Sequence, residues 1–141
     1  MKESYSVIPD ALLTAANNDP VLKGFIGNKR DRVAIYDGEA IVGFMQPSQI
    51  EYKDKTYWRT GNIFVLPEHR NKGLGSKAIL DFFSDKTEGL AWIAFDNVSS
   101  MRAFAKAGFH KLETETMKNP KGKILYLWIK ETTIQPLFVK W

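Results

Sequence analysis

The chain has 141 residues, 44% hydrophobic and 26% charged, a balance that suits one folded domain spanning 1–141 and excludes a disordered chain. It contains no cysteine, which excludes disulfides, thiolate metal ligands and a cysteine nucleophile. The formal net charge of +4 is uneven: residues 1–97 carry 12 basic and 13 acidic side chains, residues 98–141 carry 8 and 3, so any attraction for an acidic partner belongs to the last third.

In chain order, MKESYSVIPDALLTAANND lacks the apolar core of a signal peptide, and no run approaches the roughly 18 apolar residues that span a bilayer. A cytoplasmic protein with no membrane partner is expected. Residues 5–8 read as a short first strand, and PDALLTAANNDP as a helix entered through Pro9 and Asp10. A second short helix is expected in PVLKGFIGNKR. RVAIYDGEAIVGFM then reads as a hairpin around Asp37-Gly38, two residues that tolerate positive φ. QIEYKDKTYWRTGNIFVL repeats the plan, with a polar break at Lys53-Asp54-Lys55.

From Gly75 to about Asp85 apolar residues recur every three or four positions, the spacing of an amphipathic helix. LAWIAF, 90–95, is a short continuous apolar run expected of a buried strand. SSMRAFAKAG is a helix capped by Ser99 or Ser100 and stopped by Gly108. FHKLETETM and KILYLWIK are strands flanking the turn residues Asn119-Pro120-Lys121-Gly122. Trp141 beside Phe138 is a candidate docking anchor or homodimer contact.

The chemistry-bearing stretch is IFVLPEHRNKGLGSKAI, 63–79. A helix starts with unpaired N–H groups and partial positive charge. Glycines ahead of it let an anion approach the backbone, and Arg70 and Lys72 add formal charge. The spacing is neither a P-loop nor the three-glycine dinucleotide fingerprint. Arg70-Asn71-Lys72-Gly73-Leu74-Gly75 resembles the R/Q-x-x-G-x-G/A signature of the GCN5-related N-acetyltransferases. DNVSSMRAFAKAGF resembles that family's second landmark, an Asn after a strand and then a helix ending in Gly-Phe.

The resemblance implies an α+β, three-layer α/β/α fold, with a mixed, mostly antiparallel sheet splayed at an acyl-coenzyme A site. It implies acetyl-coenzyme A as cosubstrate and no metal. The N–H groups of Arg70, Asn71, Lys72, Gly73, Leu74, Gly75 and Ser76 would hold its diphosphate, and Phe64 and Val65 its pantetheine arm. Asn97 and Ser100 would contact the pantetheine, Phe104 would lie near the sulfur, and Lys106 would reach the adenosine phosphates. Asn97 also reads as a simple helix cap, a role compatible with coenzyme contact.

Acyl transfer to an amine needs an amine free of its proton, a donor to the oxyanion and a route for the leaving thiolate. The family's tyrosine near the sulfur is Phe104 here, and its glutamate before the signature is replaced at Arg59 and Thr60. Water, or a substitute among Tyr57, Glu51, Tyr126 and Asp96, fills these roles; Tyr126 is the expected acid and Glu51 the expected base. His69 reads as a loop contact, and His110 has no second metal ligand at sensible spacing. The expected function is N-acetylation of a small-molecule or protein amine in a direct ternary complex. The weaker alternative is a coenzyme-binding or nucleic-acid-associated module in which the basic last third meets phosphates.

Overall fold

The computed structural model describes residues 7–20, 22 and 31–131. In order these form α1 (Asp10–Asn17), β1 (Val33–Asp37), β2 (Ala40–Tyr52), β3 (Lys55–Val65), a 3-10 turn at Pro67–His69 and α2 (Leu74–Phe83). Then follow β4 (Gly89–Ala94), α3 (Val98–Lys106), β5 (His110–Lys118) and β6 (Ile124–Lys130). The strand order is β1-β2-β3-β4-β6-β5, with β3 and β4 parallel and the pairs β1–β2, β4–β6 and β5–β6 antiparallel. The sheet is thus mixed and mostly antiparallel, as expected. Of the strand proposed at 5–8, Val7 and Ile8 have no regular structure and the rest lies outside the described residues. The helix proposed within 20–30 also lies outside them, apart from turn positions Pro20 and Leu22, as does the tail from 132.

The chain divides into two compact units. The first takes the described residues of 1–49 and 59–79, the second those of 50–58 and 80–131. In the first, Leu12 and Ala16 on one face of α1 join Ile8, Leu22, Phe44 and Phe64 in a buried cluster. Six consecutive buried residues, 42–47, explain why the first half of β2 shows no alternation: both of its faces are covered there. The β1–β2 register pairs Asp37 with Ala40, so the loop is Gly38-Glu39 and only Gly38 takes positive φ, 65°. That is the Gly-X form of a two-residue hairpin. Gly43 lies so close to β3 that a Cβ there would strike the carbonyl oxygen of Phe64.

In the second unit Tyr57, Leu90, Leu127 and Ile129 form a buried cluster. An aromatic group lies under α2 and α3: the Phe83 ring centroid is 4.8 Å from Phe109 and 6.1 Å from Phe104. Gly89 must stay small, because a Cβ there would meet both Phe83 and Phe109 at under 3 Å. The end of α3 is a Schellman cap. Gly108 takes φ 100°, its N–H donates to Ala105 O, and the Phe109 N–H donates to Phe104 O. The accompanying apolar contact is the Phe104–Phe109 pair, with centroids 5.0 Å apart. The Gly-Phe landmark of the sequence is therefore a helix terminator that also positions Phe104. At the end of α2, Lys86 Nζ donates to Phe82 O at 3.2 Å and Lys130 Nζ to Phe83 O at 2.7 Å, placing two cations at the helix's partly negative end.

Candidate functional site

Phe64, Val65 and Arg70 to Ser76 belong to the first unit, and Glu51, Asn97, Ser100, Phe104, Lys106 and Tyr126 to the second. In the first, β3 delivers the chain into the 3-10 turn and then the loop 70–73 ahead of α2. The Lys77 N–H donates to Gly73 O at 2.9 Å, the first turn of the helix. The N–H groups of Leu74, Gly75 and Ser76 thus have no carbonyl behind them to bond, the general condition of a helix start. Asn71 and Gly73 both take positive φ, 63° and 77°, and so fold the loop back on itself. A Cβ built at Gly73 or Gly75 meets nothing within 4 Å. The space over these backbones is open, and the set of amides fits a diphosphate.

The cations of the loop are otherwise engaged. Lys72 Nζ lies 2.9 Å from Asp37 Oδ2, and His69 Nδ1 lies 3.0 Å from the same oxygen. These bonds hold the Asp37 carboxyl below its ordinary value, with Lys72 the larger influence. Arg70 Nε donates to Val65 O at 2.7 Å, its Nη2 reaches Asp19 Oδ2 at 3.4 Å, and its guanidinium lies 5.6 Å from the centre of the Phe64 ring. The Phe64 side chain is buried in the cluster against α1, so only its backbone can meet a ligand. Sequence reasoning gave Arg70 and Lys72 as charge around an anion; the structure ties both to carboxylates. It missed Asp19 and Asp37, which lie 51 and 35 residues before the side chains they hold. The one local signal was Asp37's place in a hairpin turn.

In the second unit Asn97 caps α3, its Oδ1 accepting from the Ser100 N–H at 3.1 Å; the cap is therefore Asn97 and not Ser99 or Ser100, which lie inside the first turn. Lys106 is exposed in the last turn of that helix, and Phe104 is 5% exposed among aromatic rings. Tyr126 is half-buried on β6, opposite Ile93 on β4 and Thr116 on β5, with the Lys111 ammonium 4.7 Å from its ring centre. Glu51 is exposed near the end of β2. β3 and β4 lie between the strands that carry Glu51 and Tyr126, so the sheet does not bring the two side chains together. Of the other two substitutes, Asp96 is paired with Lys123 at 3.1 Å. Tyr57 donates to Glu131 Oε2 at 2.6 Å, and burial first, then that carboxylate, push its hydroxyl up to about 12. Its proton is committed. Thr60, which with Arg59 stands where the resemblance puts the family's glutamate, keeps its Oγ1 buried with no hydrogen-bond partner. His110 is exposed, and no group of potential metal ligands occurs among the described residues.

The family model for the acetyltransferase (GNAT) domain matches residues 29–111. No curated protein matches the chain. Among solved structures, a GNAT family acetyltransferase from Elizabethkingia anophelis with acetyl-CoA bound is similar at TM-score 0.59 and 14% identity, over 93% of this chain and 95% of that one. The IAA acetyltransferase from Bacillus cereus gives 0.58 and 16%, over 89% and 93%. A chain of the NatC complex bound to Gag peptide and CoA gives 0.54 and 14%, over 66% of this chain and 62% of that one.

Proposed function

Because the chain belongs to the GCN5-related N-acetyltransferase family, whose cosubstrate is acetyl-coenzyme A, we propose that it moves the acetyl group to a primary amine, by direct attack in a ternary complex. The observation that carries this reading is the start of α2. Three backbone amides without helical partners lie beneath open space at Gly73 and Gly75, the arrangement a diphosphate needs.

The coenzyme, when bound, supplies an acyl group activated as a thioester. The rest falls to the chain and the acceptor. The amine must first be free of its proton, since an alkylammonium near pKa ~10.4 has no lone pair. Glu51 takes that proton, directly or through water. The amine nitrogen then bonds to the acyl carbon as the carbon–sulfur bond breaks; the second proton that the nitrogen sheds on becoming an amide passes to water, while Tyr126 protonates the departing thiolate and regains its own proton from solvent. The absence of cysteine removes the usual thiol carrier of an acyl group and favours the single displacement. The acceptor is a small-molecule or protein amine, and the compartment is the cytoplasm, where coenzyme A thioesters are available.

The test is release of free thiol from acetyl-CoA across a panel of small amines and peptide amino termini. The chain's own lack of cysteine leaves no protein background in this assay. Amine-dependent release with a matching acetylated product is expected. Tight binding with no turnover on any amine would sink the transferase reading and leave a coenzyme-binding module.

A further inference from the structure

We infer that Asp37 is a positioning residue for the coenzyme diphosphate: through Lys72 and His69 it holds the loop before α2 in its amide-presenting shape, and Lys72 is not itself a phosphate ligand. The inference rests on the function proposed above. Its ground is the geometry around one oxygen. Asp37 Oδ2 receives Lys72 Nζ at 2.9 Å and His69 Nδ1 at 3.0 Å, from the two sides of a segment that contains Arg70 and Asn71. Asn71 lies between these anchors with φ 63°, and Gly73 follows at φ 77°. Positive φ is uncommon for a residue with a Cβ, and although Asn tolerates it better than most, contacts on either side help to hold it there. The carboxylate sits at the end of β1, beside the Gly38-Glu39 turn, so the tether runs to a hairpin fixed by strand pairing.

A second carboxylate repeats the device on the neighbouring cation. Arg70 is held by Val65 O and by Asp19, just beyond the end of α1. The two formal charges that the sequence places beside the anion site are thus spent on fixing its backbone. Attraction for the diphosphate is left to amide N–H groups and the helix start, whose field acts within a single turn.

The competing account makes Lys72 a phosphate ligand that Asp37 merely holds in reserve, and the two differ in sign. Under positioning, Asp37→Asn weakens binding because the loop loses its tether. Under the reserve account, the same change frees a cation and tightens binding.

The experiment is titration calorimetry of acetyl-CoA, and of acetyl-pantetheine, which lacks the diphosphate, on the full chain and on Asp37→Asn, Lys72→Met, the double variant and Asp37→Glu. We expect Asp37→Asn to weaken acetyl-CoA about 5- to 30-fold and Lys72→Met to do much the same. The double variant should be no worse than the weaker single one, and Asp37→Glu should recover most of the loss. Acetyl-pantetheine affinity should stay within twofold, which general damage to the fold would not allow. Unchanged or tighter acetyl-CoA binding by Asp37→Asn overturns the inference, as does additive loss in the double variant. Should Asp37→Asn fail to fold, His69→Ala decides instead, because it removes the second bond to Asp37 and leaves Lys72 in place: a loss of acetyl-CoA affinity with acetyl-pantetheine unchanged supports positioning, and unchanged acetyl-CoA affinity, or equal loss for both ligands, overturns it. A parent chain that binds no acetyl-CoA at all defeats the proposed function instead, which keeps the two failures apart.

Discussion

At the scale of single residues, Phe104 belongs to a core and to a candidate site at once. Its ring contacts Phe83 and Phe109, and its carbonyl closes the cap of α3. Phe104→Ala opens a cavity in that group and removes the cap's apolar contact; a loss of about 3–5 kcal/mol is expected, read from urea unfolding. Phe104→Tyr keeps the ring, so its midpoint should stay close to the parent's. A change in kcat in that variant then reports on a hydroxyl offered to the sulfur. The acid–base assignment is open to the same approach. Glu51→Gln and Tyr126→Phe should each lower kcat by about 10²- to 10⁴-fold while leaving the affinity for acetyl-CoA unchanged. A variant whose kcat stays within twofold of the parent's removes its residue from the pair and hands the proton to water. Tyr57 already illustrates why a tyrosine in the right region is insufficient. Its hydroxyl is bonded to Glu131, and a phenol pushed up to about 12 is a poor acid near neutrality.

Secondary-structure elements show which parts of the fold could be read from the chain. α3 was legible because its determinants are local: Asn97 caps one end, Gly108 stops the other, and both act within a few residues. The apolar period of α2 was equally plain, but the capping of its last carbonyls was not, because Lys130 arrives from 47 residues away. The loop before α2 had the right composition for an anion site, yet its charges turned out to serve Asp19 and Asp37, pairings that a linear reading has no means to see. The β2–β3 turn lies between these cases. Lys53-Asp54 was visible as a polar break, but not as a two-residue loop with both residues at positive φ, 49° and 66°. Those signs match the type I′ hairpin, whose preferred sequence is Asn-Gly. Asp54→Gly relieves a side chain in left-handed backbone and should raise stability by about 0.5–1 kcal/mol despite glycine's greater freedom when unfolded. Thermal unfolding of that single variant checks it; a lower midpoint would mean that Asp54's carboxylate contributes more than its backbone costs.

For the whole chain, the titrating groups define a pH window of stability, and its alkaline edge has an identifiable owner. On the acid side Asp37, Asp85 and Glu115 are all held below their ordinary values, the first two chiefly by bonded lysines and Glu115 chiefly by the Tyr52 hydroxyl. Their contributions are present above the unfolded carboxylate range and fade as pH falls through the lowered folded values. On the alkaline side Lys130 and Tyr57 oppose each other. Burial, then repulsion from Lys86, lowers Lys130, so the unfolded chain binds the extra proton and stability rises with pH until about 10.4, the ordinary lysine value. Tyr57 has the opposite sign. Between the ordinary tyrosine value of about 10 and its folded value of about 12, the folded chain keeps a proton that the unfolded chain has lost. Stability therefore drops through that interval, by up to about 1.4 kcal/mol per pH unit for one full proton. Above about 10.4 the lysine no longer offsets it, and the decline should steepen. Urea midpoints measured at half-unit steps from pH 8 to 11.5 should show a rise toward pH 10 and then this fall, while Tyr57→Phe should begin less stable at pH 8, having lost the bond to Glu131, and decline less steeply above pH 10. If the two curves run parallel, the alkaline edge belongs to other groups, such as Tyr52 on Glu115, whose hydroxyl is raised in the same direction.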